Sequence, residues 1–425
     1  MGLVRIRQDQ LAVRIDAMTV PAGFPAARSR ALTRLQTMGL PGKRDEYWRY
    51  TDPSSLTDPS AATAAVFDAS DEAPVFDAVD RLRLVFVDGV FDAEASDDPV
   101  LAGVEISRLA EVHEGPHWAD TFYGDLESAG QHPVARPLAA FNSAFASDGI
   151  LIRVTATPAK PISLIYVHKS ESSDAILHNC IRIEPGASLT MLESGPAAAR
   201  LNMVMEVELA KGARFHHIRA QGRDHARRAV THVFARLHAR AQFKSFTLTA
   251  TGALTRNEAV IELLGDDARA HVAGAAVGDG KFHHDDTVFV THAALRCESR
   301  QVFKKVLKNG AVGVFQGKIL VKPGAQKTDG YQISQALLLD GESQFLAKPE
   351  LEIYADDVKC SHGSTTGAID ETALFYLRSR GVPKAEAQSL MVLAFLAEAI
   401  AEIDDPAIAD DIRSRLEGWL ARHET

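Results

Sequence analysis

Alternating hydrophobic and polar residues dominate the middle of the chain. Between residues 151 and 355, short runs rich in β-branched residues recur, and Gly, Pro, Asp and Asn separate them. Residues 162–167, 203–209 and 288–292 are examples. Short alternating runs bounded by turn residues are typical of β-strands. We therefore predict that the middle of the chain is built from strands, without long helices.

The turns between these strands recur at a steady spacing. Four turn-then-strand units share an alanine, and the gaps between these alanines are 26, 28 and 27 residues. The alanines are Ala187, Ala213, Ala241 and Ala268, and the turns at 309–311 and 323–325 resemble them. Such a period indicates stacked units, because one unit cannot bury its own apolar face. We predict a β-solenoid, with a β-sandwich of regular strand lengths as the alternative.

The two ends of the chain have a different pattern. Residues 1–150 are predicted to be mainly helical, the solenoid takes residues 151–365, and residues 366–425 form a helical domain. Asp370 is a suitable N-cap for the first C-terminal helix, and Gly381 ends it. Asp405 begins the last helix, whose apolar stripe either caps the solenoid or contacts a partner. The stripe consists of Ile408, Ile412, Leu416 and Leu420.

Charge and hydropathy argue against several classes of function. The chain has 425 residues, and 46 Lys and Arg stand against 56 Asp and Glu, which gives a net charge of −10. Nucleic acid is therefore not an expected partner, since phosphate binding needs a basic surface. The longest apolar run, residues 390–397, is too short to cross a bilayer. The first residues do not resemble a signal peptide, so we expect a cytoplasmic protein without a membrane partner.

Motifs for several common chemistries are missing. The sequence has no phosphate-binding loop, no Gly-x-Ser-x-Gly elbow and no His-Glu-x-x-His string. Its three cysteines form no Cys-x-x-Cys pair, which argues against a self-contained zinc finger or iron–sulfur loop. We expect Cys180 and Cys297 to be packing residues. The string His284-Asp285-Asp286 is a weak candidate for a metal site.

The strongest chemical signal is Cys360-Ser361-His362. Thiolate and imidazole are the side chains most used to bind iron and zinc in proteins. Two ligands cannot complete a tetrahedral site. If this pair binds metal, the other ligands come from elsewhere in the chain or from a second protein.

Four strings resemble a known family. They are residues 330–339 (GYQISQALLL), 349–363 (PELEIYADDVKCSHG), 374–381 (LFYLRSRG) and 43–51 (KRDEYWRYT). In these strings the chain resembles the SufD family, which belongs to the SUF machinery for iron–sulfur cluster assembly. The resemblance covers the whole chain in order and is densest between residues 300 and 400.

The resemblance implies a fold and a set of partners. The family fold is a right-handed parallel β-helix between helical N-terminal and C-terminal regions, in agreement with the repeat. Family members are scaffold subunits rather than enzymes. They pair with the paralogue SufB through the last β-helix strands, and the C-terminal helices bind the ABC-type ATPase SufC. The resemblance therefore implies that ATP is hydrolysed by a partner, which agrees with the missing phosphate loop.

The resemblance also implies roles for individual residues. His362 and Cys360 match the family's Cys-x-His motif, so His362 is the first candidate for an iron ligand or proton-transfer group at the SufB–SufD interface. Cys360 is either a second ligand or a buried neighbour of that histidine. SufB carries an essential cysteine after Ser-Gln, where this chain has Ala336, and a Glu where this chain has Gly363. This chain is therefore expected to supply only part of a site for a transient iron–sulfur cluster.

Three alternatives remain open from the sequence. The chain is either a cluster-assembly scaffold, a structural β-solenoid interaction protein without metal chemistry, or a β-helix carbohydrate-active enzyme. The last is disfavoured because the acidic residues do not recur at one position of the repeat. FAD has been linked to complexes of this family, but no Gly-x-Gly-x-x-Gly motif supports it here. In the absence of SufB, the same β-edge could pair with a second copy of the chain.

Overall fold

Two large β-sheets form the centre of the protein. The computed structural model describes residues 2–66, 73–112, 116–222 and 225–423. The first sheet, sheet A, has ten strands: β1 (Leu82–Val87), β2 (Val90–Asp92), β5 (Ile162–Val167), β7 (Ser188–Ser194), β9 (Arg214–Gln221), β11 (Gln242–Ala250), β13 (Arg269–Asp279), β15 (Glu298–Lys308), β17 (Asp329–Leu338) and β19 (Lys359–Gly367). The second, sheet B, has nine strands: β3 (Glu105–Arg108), β4 (Ile150–Val154), β6 (Asp174–Ile183), β8 (Arg200–Leu209), β10 (Arg228–Leu237), β12 (Leu254–Leu263), β14 (His283–His292), β16 (Val312–Val321) and β18 (Gln344–Ile353).

The chain alternates between the two sheets and thereby forms a parallel β-helix. From β4 onwards, each strand pairs in parallel with the strand two places later in the sequence. Only β2 and β3, at the start of the sheets, pair antiparallel. The predicted fold class, a mainly β solenoid flanked by helical regions, is confirmed.

The repeated alanines mark one corner of the coil. Each follows a residue with a positive φ angle, for example Arg240 (58°) or Asp267 (61°), and precedes a strand of sheet A. A small residue fits inside this corner, and all four alanines are buried. Arg296 (φ 54°) and the buried Cys297 continue the series. The expected packing role of Cys297 is therefore confirmed.

The two further turns resembling the alanine corners do not extend this series. Turn 309–311 leads from β15 into β16 and therefore into sheet B. Turn 323–325 lies on the path from β16 to β17, but the residue immediately before β17 is the buried Thr328. The coil also lengthens here, so that equivalent positions are no longer 26–28 residues apart.

Helices cover the outer faces of both sheets. They are α1 (Gly2–Asp16), α2 (Pro25–Met38), α3 (Ser54–Thr57), α4 (Asp125–Ala129), α5 (Pro137–Phe145), α6 (Glu371–Ser379), α7 (Lys384–Ile400) and α8 (Pro406–Arg422). Short 3-10 helices occur at Glu46–Trp48, Pro99–Ala102, Leu109–Glu111 and Trp118–Thr121. Residues of α2, α4 and α5 pack on sheet B, and residues of α7 and α8 pack on sheet A. None of the helices in the described parts of the chain is long and apolar enough to span a membrane.

The apolar stripe of α8 has a packing role. Ile408, Ile412 and Leu416 are fully buried against sheet A, together with Trp419 and Leu420. Of the two uses expected for this stripe, the structure therefore selects packing onto the solenoid. A partner that approaches the C-terminal helices must bind a different surface.

The last coil of the solenoid is open. In the described part of the chain, β18 and β19 each have a pairing partner on one side only. Most residues of β19 are exposed, and most residues of β18 are half-buried. Each strand therefore presents a free row of backbone hydrogen-bonding groups, which is a template for pairing with another chain.

Candidate metal centre at the open end of the solenoid

The two residues singled out by the sequence lie on the edge strand β19. Cys360 is the neighbour of Gly330 on β17, and His362 is the neighbour of Gln332. Two residues on a strand separated by one position point to the same face. Cys360 packs against Ile319 and other apolar residues of sheet B, so this face is directed towards the interior between the sheets. His362 is exposed because no further coil covers it.

Gly330 makes room for the Cys360 thiol. A Cβ atom at this position would lie 3.3 Å from Cys360 Sγ and 3.3 Å from Ile319. Burial raises the pKa of the Cys360 thiol, and the Asp329 carboxylate adds to this effect. The thiol is therefore protonated at neutral pH, and metal binding at this position must release a proton.

An open cavity leads to Cys360 from solvent. Its volume is about 440 Å³, and its lining includes the side chains of Arg300, Tyr331 and Lys359 as well as Cys360. Arg300 is paired with Asp329 at 2.9 Å. The thiol is thus half-buried but can be reached from outside.

Buried amides lie behind His362 in the interior. Gln332 is fully buried, and in the described structure neither its side-chain nitrogen nor its oxygen has a hydrogen-bond partner. Gln301, the neighbour of Gln332 on β15, is in the same situation. Adjacent strands lie about 4.8 Å apart, so these amides form a short row that ends at His362. The interior next to the histidine therefore has unused hydrogen-bonding capacity.

Ala336 lies in the same interior. It is buried, and its neighbours across the sheet are Lys305 on β15 and Thr366 on β19. Like Gln332, it lies an even number of residues from Gly330 and so faces the interior. The alanine leaves the last coil without a thiol at this position.

The pair does not form a complete metal site within the described residues. There, Cys360 and His362 are not joined by a third histidine, cysteine or acidic group at ligand distance. The protein offers two ligand atoms at this end, one half-buried and one exposed. Any further ligand at this site has to be supplied by another molecule.

Strand β19 leads directly into the first C-terminal helix. Asp370 caps α6 by accepting hydrogen bonds from the backbone nitrogens of Thr372 (2.8 Å) and Ala373 (3.2 Å). On α6, Phe375 and Tyr376 are 73% and 59% exposed, and on α7 Leu390 is 48% exposed. We call these three residues the α6 aromatic surface. The chain from His362 to this surface is short, so movement of α6 can reach the edge strand.

Sequence reasoning missed a network of buried polar residues in the interior. Glu193 accepts hydrogen bonds from His217 (2.6 Å), Arg219 (2.7 Å) and Tyr166 (2.7 Å). Burial alone would raise the pKa of Glu193, but these three partners lower it to about 2. Arg219 also donates to Thr231 at 2.9 Å, so the network crosses from sheet A to sheet B.

The weak candidate at residues 284–286 already contains a cation. The ammonium group of Lys305 contacts His284 Nδ1 at 3.0 Å and donates to Asp286 at 2.5 Å. Asp285 faces away from these groups and binds Arg256. The side chains that could hold a metal here are therefore occupied by lysine and arginine.

Sequence reasoning also missed a cluster around Cys180. Cys180 is buried, as expected for a packing residue, but it lies beside His178 and Glu206, and the three ligand atoms lie within 4.8 Å of one another. Two signals could have found this cluster. His178 and Cys180 have the same one-residue separation as Cys360 and His362. Glu206 follows Cys180 by 26 residues, which is one period of the repeat.

Comparison with known proteins agrees with this geometry. Residues 166–395 match the model of the SUF system FeS cluster assembly SufBD core domain, and residues 14–161 match the SufBD protein N-terminal region. Iron-sulfur cluster assembly protein SufD of Escherichia coli is 28% identical over 91% of this chain and 90% of its own length. The SufBD family protein slr0076 of Synechocystis is 28% identical over 88% of this chain and 86% of its own length. SufD of Bacillus subtilis is 27% identical over 66% of both chains.

Proposed function

Since the chain belongs to the SufBD family of iron–sulfur cluster assembly proteins, we propose that it is the SufD-type scaffold subunit of a SufB–SufC–SufD complex. In this role it performs no catalysis of its own. It supplies one wall of a site in which SufB supplies the other ligands, and it binds the ATPase SufC. The complex works in the cytoplasm.

The observation that carries this proposal is the position of Cys360 and His362 on the open last coil. Their side chains face the end of the interior, where no further strand follows. A paralogue that adds its own last coil to the free edges would bring its ligands opposite this pair. His362 is the better candidate ligand, since it is exposed. Cys360 has to lose a proton first, because its thiol pKa is raised.

The α6 aromatic surface is the proposed site for SufC. The apolar stripe of α8 is used for packing, whereas Phe375, Tyr376 and Leu390 remain exposed. Exposed aromatic side chains clustered on one face are typical centres of protein interfaces. Their position next to β19 gives ATP binding a route to the site. If two SufC subunits approach each other, α6 is pulled, and the edge strand that carries His362 moves with it.

A structural solenoid without metal chemistry is the alternative. It shares the fold and the open edges, and it predicts pairing of two copies of this chain rather than binding to SufB and SufC. A flavin is not part of the proposal, since neither the sequence nor the last coil has a dinucleotide-binding loop. Iron and sulfide are treated as cargo of the complex.

Co-purification with SufB and SufC tests the proposal. Wild-type chain should capture both proteins. Phe375→Glu with Tyr376→Glu should lose SufC and keep SufB, whereas Ser364→Lys with Thr366→Lys on the last coil should lose SufB and keep SufC. Each double variant is the folding control for the other. Capture of neither protein by the wild type, with a stable homodimer instead, would establish the structural alternative.

A further inference from the structure

The buried cluster on sheet B is separate from the open end of the solenoid. His178 and Cys180 lie on β6, one residue apart, and β8 places Glu206 directly beside Cys180. All three side chains are fully buried under the N-terminal helical layer. Nothing in the proposed scaffold role uses them.

The histidine is fixed by a hydrogen bond to Asn142. Asn142 Nδ2 donates to the carbonyl oxygens of Leu177 and Asn202, both at 2.9 Å, so Asn142 Oδ1 is an acceptor. His178 Nδ1 lies 3.0 Å from this oxygen and must donate to it. A histidine that donates from one ring nitrogen to an oxygen presents the other nitrogen to a metal, which is the usual arrangement in metal sites.

The other ring nitrogen faces a carboxylate. His178 Nε2 lies 2.9 Å from Glu206 Oε2, and Cys180 Sγ lies 3.8 Å from the same oxygen. The carboxylate is held in place by the start of α4, since the backbone nitrogens of Gly124 (2.6 Å) and Glu127 (2.8 Å) donate to its two oxygens. One imidazole nitrogen, one sulfur and one carboxylate oxygen therefore converge on one point.

We propose that His178, Cys180 and Glu206 bind a divalent transition-metal ion, with Zn²⁺ as the best match. Tetrahedral zinc with its usual bonds to nitrogen, sulfur and oxygen places these ligand atoms about 3.3–3.6 Å apart. The observed separations of 2.9 and 3.8 Å differ from this by a few tenths of an ångström. The fourth position is open to water or to the second oxygen of Glu206.

Charge balance supports a divalent ion. Without metal, one proton is shared between His178 and Glu206 and another remains on Cys180, so the cluster has no net charge. Burial and the Glu206 carboxylate keep this thiol protonated by raising its pKa. A divalent ion releases both protons and leaves one carboxylate and one thiolate, so the cluster is neutral again. A monovalent or trivalent ion would leave a net charge in a buried site, which is costly.

The site would join three layers of the molecule. It links β6 and β8 of sheet B, and through the backbone nitrogens held by Glu206 it links both strands to α4. Because the cluster is fully buried, the metal enters during folding and acts structurally.

Metal content of refolded protein tests this site. The chain, without affinity tag, carries Cys360→Ser and His362→Ala so that the open end binds no metal. It is unfolded, stripped of metal and refolded with Zn²⁺ or Co²⁺. We expect one ion per chain, a thiolate-to-cobalt charge-transfer band and a Zn²⁺-dependent rise in melting temperature. Cys180→Ala in this background should lose all three signals, while Cys297→Ala, which removes another buried thiol, should keep them.

Two results would overturn the proposal. One is a refolded background protein that binds neither Zn²⁺ nor Co²⁺. The other is a Cys180→Ala variant that retains the ion and the cobalt band. If refolding yields are low, the same comparison is made with protein expressed in cobalt-supplemented medium. All of these readouts are independent of SufB, SufC and cluster assembly.

Discussion

The chain places a histidine and a cysteine one residue apart at two positions of the same solenoid, and their surroundings differ. His178 and Cys180 are on β6, where the next coil of sheet B brings Glu206 beside them. Cys360 and His362 are on β19, after which sheet A ends. The ligand spacing is the same, but one pair is completed and buried by the chain itself, whereas the other is left half-exposed. A strand neighbour, rather than the motif, decides what such a pair can do.

Thiol reactivity should give the largest contrast between the two regions. Cys360 can be reached through an open cavity, whereas Cys180 and Cys297 are fully buried. In native protein, a thiol reagent should therefore modify one cysteine, and Cys360→Ser should abolish this reaction. The two buried thiols react only through unfolding, so we expect them to be at least about a thousandfold slower. Fast labelling of a second thiol, identified by mass spectrometry, would break the contrast.

Stability should depend on the buried cluster and not on the exposed one. Glu206→Gln removes the charge that holds His178 and weakens the hydrogen bonds to the start of α4. We expect a loss of about 3–5 kcal/mol in the free energy of unfolding. His362→Ala should change it by less than about 0.5 kcal/mol, as is usual for exposed residues. Urea unfolding of both variants measures the difference, and equal losses would contradict the assignment of buried and open sites.

The covered part of the solenoid should also be sensitive to acid. His292 is fully buried, and burial lowers its pKa to about 4. In the unfolded chain a histidine titrates near about 6.5, so the unfolded state binds the proton first. Stability from this residue is complete above about pH 6.5 and is lost as the pH falls towards 4.

His292→Gln tests this acid sensitivity. Removing the histidine should flatten the decline in unfolding free energy by up to about 1.4 kcal/mol per pH unit, which corresponds to one proton. Urea midpoints measured between pH 7 and pH 4 would detect the change. An unchanged slope in the variant would mean that His292 is protonated as readily in the folded protein as in the unfolded chain.

The fold could be predicted from the sequence because its signal is local and repeated. Each coil needs a turn and a small residue at the same corner, and Ala187, Ala213 and Ala241 reveal that need. Cys297 occupies the same corner, but its different residue type and the gap of 29 residues from Ala268 concealed it. The register between strands was not visible, although the 26-residue period contains it.

The candidate sites were predictable to different degrees. Cys360 and His362 stand out because they are adjacent in the sequence. Glu206 is brought to Cys180 only by strand pairing, and Asn142 comes from α5, so the buried cluster required the tertiary structure. The same holds for the C-terminal helices. Their periodicity predicted an apolar stripe on α8, but only packing on sheet A could separate that buried stripe from the exposed Phe375 and Tyr376 of α6.

The most direct test of the shared site is the iron and sulfide content of the reconstituted complex. SufB, SufC and this chain are purified together with either His362→Ala or Ser361→Ala, a neighbouring substitution on the opposite face of β19. We predict that His362→Ala lowers bound iron and sulfide at least about tenfold while the three proteins still assemble, and that Ser361→Ala retains wild-type content. Wild-type iron and sulfide in an intact His362→Ala complex would contradict the account.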